Sequence, residues 1–322
     1  GLAGYLAHGF VPHDGTEGST GSATSMFGSP LAVWGSAATT LEYAVADFAV
    51  ARFAAALGDR ATCRAFLARS ASWANLWNPD TGFIQPRYAD GSWKPDFDPT
   101  SLDGYTEGDA AQYTWMVPHD VAGLAARMGG IDAAAQRLAE HTAEINAGPH
   151  SLHAFLGNEP EAVVPWLFTW LGAPDKTQAV VRRALLELFA ATPSGYPGND
   201  DLGQMSAWWI FGALGFYPAV PGTDILVLGS PLFPEATLEI AGRRIRVTAA
   251  DAAPDRPYVR RLTVGGRAHE QPWLRLSDLP DGTTLSYDLE ATPGARWATD
   301  PSAAPPSFGA SVDPAAACAD PS

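Results

Sequence analysis

The period of the apolar residues changes once along this chain, and that change restricts it to a helical array followed by a set of strands. From Thr39 to Phe216 apolar positions recur every three or four residues, the spacing that lines one face of a helix. TTLEYAVADFAVARFAAALG (39–58) ends on Gly58, and DRATCRAFLARSASWANLWN (59–78) opens on Asp59, an acceptor suited to a helix N-terminus. A helix predicted over 109–129 must kink or split at Pro118, because proline has no N–H and its ring meets the preceding turn. Helices are predicted likewise over 131–146, 159–172, 175–191 and 204–216. After GFYPAVPG (215–222) come short apolar or alternating runs separated by turn residues: ILVLGS, ATLEIAG, RIRVTAAD, YVRRLTVGG and TLSYDLEA. These are strands, expected to form a β-sandwich portion.

Three stretches fall outside both periods. Residues 1–38, which include GSTGSATS, read as loop, and the Pro-, Gly- and Asp-rich run 79–99 is too long for a plain connection. From about 300 the chain becomes a Pro/Ala-rich tail with no packing signal. The resulting division is mainly α over 1–222, a β-strand module over 223–300 and a tail over 301–322. About seven helices are too few to close a twelve-helix α/α toroid, and the chain has no initiator Met, so it is expected to be the C-terminal part of something longer.

Composition narrows the function classes. Apolar residues at 46% and charged residues at 17% fit a folded protein. Acidic residues outnumber basic ones 35 to 20, a net charge of −15. A protein that tracks nucleic-acid phosphates needs the opposite balance. No apolar run is long enough to span a bilayer, and GLAGYLAHGF lacks the basic n-region of a signal peptide. Cys63 and Cys318 are the only cysteines, so there is no zinc or redox motif, while a disulfide between them stays open. His13, His119 and His153 lack zinc-ligand spacing. The 11 tryptophans suit sugar-ring contacts as well as core packing.

Four polar clusters abut predicted helix ends: QPRYADGSWKPDFDP (85–99), GYTEGDAAQYTWMVPHD (104–120), LGNEP (156–160) and PGNDDLGQMSAWW (197–209). Taken singly each has a plain explanation. Asn158 suits a helix cap and Glu159 a first-turn acid ahead of Pro160. Asn199, Asp200 and Asp201 suit a solvated turn beside a helix N-terminus. In an α/α toroid, however, such loop ends converge on one mouth.

Together and in this order the stretches resemble glycoside hydrolase family 92, the calcium-dependent exo-α-mannosidases. The motifs that carry the resemblance are GFVPHDG, TLEYAVADFAVA, TGFIQPR, DGSWKPDFDP, YTEGDAAQYTW, VPHDV, GNEP, KTQAVVR, GNDDLGQMSAWWIFGALGFYPAVPG and GSPLF, which run collinearly over most of residues 9–233. The resemblance implies part of an (α/α)6 barrel followed by C-terminal strands. The family's N-terminal sandwich and first helices would be missing, which makes that N-terminal part of the same enzyme a required partner. It also implies an inverting reaction on a mannosylated glycan, in a secreted or cell-surface, exported bacterial protein.

Matched residue by residue, Asn158 and Glu159 fall on the family's metal motif and imply Ca²⁺, a cation that takes oxygen ligands. Asp201 falls on the base. The second acid of that turn is Asn199 here, which cannot take a proton, and Asp200 is a candidate to compensate. The acid position falls on Gln112, with Glu107 as its rival. A glutamine there suits a leaving group that needs no proton, such as the phosphate of mannose-α-1-phospho-6-mannose, and implies uncapping of mannose 6-phosphate. With Glu107 as acid the substrate is an ordinary α-1,2- or otherwise linked mannoside. Ala154 and Phe155 stand where α-1,2-specific members carry a His-Glu pair. Arg87, Trp93 and Thr114 are candidates to contact the terminal mannose, with loop and helix packing as the alternative. A non-catalytic carbohydrate-binding scaffold is the competing class, and it has no use for the loop carboxylates.

Overall fold

The computed structural model describes residues 1–14, 34–240, 242–294, 297–309 and 312–319. The GSTGSATS stretch lies outside the described residues. The rest of the N-terminal stretch is not all loop: α1 (Leu2–His8) precedes the long helices. It is held by Tyr5, which is buried and donates its hydroxyl to Asp47 at 2.9 Å. Asp47 sits on α2 (Ser36–Ala56) and takes a two-pronged hydrogen bond from Arg69 on α3 (Arg60–Ser70), at 2.5 and 2.6 Å. A carboxylate buried among three helices is stable only when paired in this way.

Helix α2 buries Leu41, Ala44, Phe48, Ala51 and Ala55, the three-and-four spacing seen in the sequence. Fully burying a side chain of Phe48's kind stabilises the fold by about 1.5–3 kcal/mol. Asp59 caps α3 as predicted, accepting from the Thr62 amide. Helix α3 stops at Ser70, short of the predicted Asn78. The Ser70 carbonyl is taken by His119 Nε2 at 3.0 Å, and the chain continues as a 3-10 turn over Ala71–Leu76. The next residues form β1 (Trp77–Asn78), paired with β2 (Phe83–Ile84). So the run 79–99 is an ordered hairpin plus a folded loop rather than a plain connection.

Pro118 splits the next helix as expected, into α4 (Ala110–Tyr113) and α5 (Val121–Arg127), each capped by an aspartate, Asp109 and Asp120. Helix α6 covers Ile131–His141. The helix predicted over 159–172 is instead a pair of 3-10 turns, Glu159–Glu161 and Val164–Thr169. Pro160 and Pro165 remove amide donors there, while burial of Trp166, Leu167 and Phe168 keeps the apolar pattern. Helices α7 (Pro174–Glu187) and α8 (Gln204–Leu214) complete the array before the strands.

All five predicted strands form. β4 (Ile225–Leu228) pairs with β3 (Phe216–Tyr217) and β9 (Trp273–Arg275) in a three-stranded sheet. The second sheet runs in the order β5 (Glu235–Ile240), β6 (Arg243–Thr248), β10 (Thr284–Glu290), β7 (Tyr258–Val264), β8 (Arg267–Ala268). Its β6–β10 pairing is parallel and the others are antiparallel. Leu226 and Leu228 pack with Ile245, Val247, Leu262 and Leu285 of the second sheet, whereas Ile225 and Val227 pack into the helical core. One strand, with side chains alternating by two, thus belongs to both cores. Arg182 of α7 ties them further, donating to the carbonyls of Ala253 and Pro231.

The tail differs from expectation. Phe308 packs on Phe48 and donates its amide to the His119 carbonyl. Arg52 donates to Ala317 at the end of the short helix α9 (Pro314–Ala317). Cys318 forms a disulfide with Cys63, closing a span of 255 residues. His119 lies beneath this strap, its ring stacked on Phe48 and its pKa pushed down to about 4 by burial. It is a neutral core residue. In the chain-entropy account, a loop of this length contributes roughly 5 kcal/mol through the unfolded state. Cys63→Ser with Cys318→Ser is therefore expected to lower the thermal midpoint and to make residues 301–319 the first site of proteolysis. An unchanged midpoint and digestion pattern would show that the strap holds without its covalent link.

Candidate active site

Three of the four polar clusters meet through backbone that has no room for side chains. Gly198 has φ +62°, and a Cβ on it would collide with the carbonyl of Gly157. Only glycine meets both conditions. The contact sets the 197–203 turn against the Gly157–Pro160 segment. Asn158, buried, donates its amide to the Glu107 carbonyl at 3.2 Å, which brings in the third segment. Gln112 completes the set. A Cβ on Gly108 would lie 2.7 Å from Gln112 Oε1 and 3.5 Å from Asn158 Nδ2.

The electrostatics agree with this convergence. Glu159 has its pKa raised, first by burial and then by the charges of Asp201, Glu107 and Asp200. Its Oε1 is buried and has no hydrogen-bond partner. The charges of Asp201, Glu107 and Asp200 each disfavour a charge on Glu159. A cation beside Glu159 would offset that repulsion and give the orphaned oxygen a partner.

The members differ in how they are held. Glu107 is exposed and has a left-handed backbone at φ 57°, as has Leu202 beside Asp201 at φ 53°. For residues with a Cβ this conformation costs about 1–3 kcal/mol and persists only where the surroundings impose it. Asp201 is exposed at the start of a 3-10 turn, Asp201–Gly203, and Asn199 is exposed on the same turn. Asp200 turns away from the cluster's chemistry. It accepts the amide and the hydroxyl of Ser206, at 2.9 and 2.6 Å, at the start of α8, and those bonds lower its pKa. Gln112 is buried and donates Nε2 to the Gly148 carbonyl at 2.9 Å, leaving its Oε1 buried without a partner.

Three further candidates make contacts within the chain. Thr114 is fully buried, donates to Ala110 and accepts the Ile84 amide. Arg87 donates to the carbonyls of Asn75 and Gly91, and its guanidinium lies 4.4 Å from the centre of the Trp93 ring. That face of Trp93 is covered by arginine, and the pair closes a loop through an isolated β-bridge. Trp73, Trp166 and Trp208 are core residues.

A second group escaped the sequence reading. Asp109, His141 and Glu161 are buried together behind the cluster. His141 Nε2 contacts Glu161 at 3.1 Å, and its Nδ1 meets the Leu152 carbonyl at 2.7 Å. Burial alone would lower the His141 pKa, but the Glu161 charge and hydrogen bond outweigh it and raise it. Burial pushes Asp109 up to about 7 against two backbone hydrogen bonds. The Asp109-x-x-Gln112 spacing signals a helix cap. Nothing local signals that the cap is buried against another segment.

The glycosyl hydrolase family 92 catalytic domain matches residues 1–291. The chain belongs to that family. Among solved structures, the family 92 α-mannosidase BT3965 from Bacteroides thetaiotaomicron aligns with 95% of this chain and 39% of its own, at 33% identity and a TM-score of 0.83. The inverting mannosidase BT2199 from the same organism aligns with 96% of this chain and 42% of its own, at 32% identity and a TM-score of 0.80. An uncharacterized secreted glycosidase of Arthroderma benhamiae is 26% identical over 302 residues, 85% of this chain and 38% of that protein. The chain thus spans about two fifths of the length of these relatives. No helix among the described residues is long and apolar enough to cross a membrane.

Asp201 and Asp200 separate in their expected effects. With Asp201 as the base that the family resemblance implies, Asp201→Asn should leave the thermal midpoint near wild type and lower the turnover number about 10²–10⁴-fold, whereas Asp200→Ala should lower the midpoint through loss of its two bonds to Ser206 in the first turn of α8. Steady-state kinetics paired with thermal melts read both. Equal activity losses in the two variants would contradict the assignment.

Proposed function

We propose that this family 92 chain carries the catalytic residues of an inverting, calcium-dependent exo-α-mannosidase. Asp201 is the base, Glu107 the acid, and Asn158 and Glu159 are the chain's metal ligands. The observation that carries the reading is the joining of the Glu107, Asn158–Glu159 and Asp201 segments through the Gly157–Gly198 contact and the Asn158–Glu107 hydrogen bond, with Glu159 Oε1 buried and unpartnered among them. Its support from relatives is that BT3965 and BT2199 are mannosidases, one of them solved with mannoimidazole and the other an inverting enzyme. The remainder of the (α/α)6 barrel and an N-terminal domain, in this reading, come from sequence beyond this chain, and the enzyme is secreted, the description that the Arthroderma glycosidase carries.

In an inverting reaction one carboxylate takes a proton from water while an acid on the opposite face protonates the leaving oxygen. Exposed Asp201 suits the first task. Glu107, exposed and held in a strained backbone, suits the second better than Gln112, which is buried, bonded to the Gly148 carbonyl and has no acidic proton to give. Asn158 commits its N–H₂ to Glu107, so its amide oxygen is the atom it offers a cation. Among the described residues no three His, Cys, Asp or Glu side chains group as a metal site, so water and amide or backbone oxygens make up the set. Calcium, when bound, supplies a fixed positive charge for the hydroxyls of the terminal mannose.

A second reading rests on Gln112, whose side chain lies beside Asn158 at the same convergence. If that is the vacated acid position, the leaving group is a phosphate and the substrate is mannose-α-1-phospho-6-mannose. The test uses the enzyme expressed from its full gene, with calcium or chelator, on α-1,2-mannobiose and on the phosphodiester. Under the first reading, wild type cleaves mannobiose, chelator abolishes this, and Glu107→Gln lowers it about 10²–10⁴-fold. Cleavage of the phosphodiester alone, with mannobiose cleavage gained in Gln112→Glu, would establish the second. Release of mannose from neither would overturn both and leave a carbohydrate-binding scaffold.

A further inference from the structure

We infer that Asp109 is a positioning residue that fixes the Glu107–Gln112 segment against the loop running from Gly148 to Glu159, and so sets the acid relative to the metal ligands. The inference rests on the proposed roles of Glu107, Asn158 and Glu159, and on a division of labour within one carboxylate. Oδ1 accepts the Gln112 amide at 3.1 Å and caps α4. Oδ2 accepts the Ser151 amide at 2.9 Å, from a segment 42 residues away in sequence. The side chain is fully buried.

A cap alone does not call for a buried carboxylate. Serine, threonine or asparagine caps a helix as well and avoids the desolvation of a charge. Two amides arriving from separate segments do call for one, because only a carboxylate offers two acceptor oxygens; asparagine offers a single oxygen and puts donors in the other place. The burial that disfavours a charge at this position is thus the cost of holding two pieces of backbone with one residue.

The rest of the loop is braced in the same manner. Gln112 Nε2 donates to the Gly148 carbonyl. Ser151 Oγ accepts the His153 amide. The buried Glu161 accepts the Phe155 amide at 3.1 Å, while its partner His141 contacts the Leu152 carbonyl. The loop then delivers Asn158 to the Glu107 carbonyl. Among the described residues, side-chain hydrogen bonds join the 107–112 segment to the 148–159 loop at Asp109, Gln112 and Asn158, and the Glu161–His141 pair braces that loop from α6. Reacting groups displaced by about 1 Å lose on the order of 10²-fold in rate, so a residue that touches no substrate controls catalysis through this joint.

Asp109→Asn keeps an acceptor for the α4 cap and sets an amide N–H₂ against the Ser151 amide. In the enzyme expressed from its full gene, this variant is expected to melt close to wild type, to lose about 10–10²-fold in turnover number with KM changed less, and to show faster hydrogen exchange in residues 148–158 but not in α2 or α7. Asp109→Glu, with two acceptor oxygens retained, should recover part of the rate; Asp109→Ala loses both arms and should melt earlier. Unchanged turnover and exchange in Asp109→Asn would overturn the inference. So would activity in the three variants that simply follows the thermal midpoint. If wild type releases no mannose, the mannosidase reading fails by itself, and the exchange measurement still decides whether Asp109 holds the two segments together.

Discussion

The close approach of Gly198 to Gly157 is the constraint on which the site depends. Two loops far apart in sequence touch backbone to backbone, with no side chain between them, at a φ that a residue with a Cβ avoids. The contact puts Asp201 within electrostatic reach of Glu159. Asn158 then reaches the Glu107 carbonyl, and Gly108 leaves space for Gln112 beneath the same strand of backbone. A side chain at any of these glycines would open the joint that lets three separate carboxylates act on one region. Strain at Glu107 and Leu202 sits where the joint forms, in keeping with the general tendency of functional sites to store it.

Much of this was legible in the sequence, for physical reasons that can be named. Period placed the strands and most of the helices, Pro118 the break between α4 and α5, and Asp59 the start of α3, because each acts locally. The convergence of GNEP with the Asn199–Asp201 turn was legible only through the resemblance to family 92. The contact partner of a polar residue within the chain was not legible. Thr114, Arg87 and Trp93 are polar or aromatic residues in a motif-rich stretch, and their chemistry suits sugar binding. In the fold Thr114 bonds to Ala110 and Ile84, and Arg87 covers Trp93. Nor does an apolar run with two prolines reveal that Val164–Thr169 winds as a 3-10 turn. The tail failed for another reason. Its own composition carries no packing signal, and the disulfide to Cys63 and the Phe308 contact depend on residues more than two hundred positions away.

The helical and β parts are joined more firmly than a division at residue 222 suggests. Strand β4 faces one core with Ile225 and Val227 and the other with Leu226 and Leu228, and Arg182 crosses the same boundary. Helix α8, whose first turn is tied to Asp200 through Ser206, leads into β3 and so into that shared layer. The turn bearing Asp201 is therefore anchored at one end by the glycine contact and at the other by a helix packed on the sandwich. An exposed catalytic group on a short turn needs such anchoring if it is to keep its place between substrates.

The stereochemistry of the first product tests the central claim most directly. Asp201 as a base acting on water, opposite an acid at Glu107, means a single displacement at the anomeric carbon. Proton NMR of the enzyme expressed from its full gene, followed from the first seconds of hydrolysis of an α-mannoside, should show β-mannose appearing first and converting slowly to the equilibrium mixture. Appearance of α-mannose first would mean retention, and with it a covalent or otherwise double displacement that this arrangement of carboxylates does not explain.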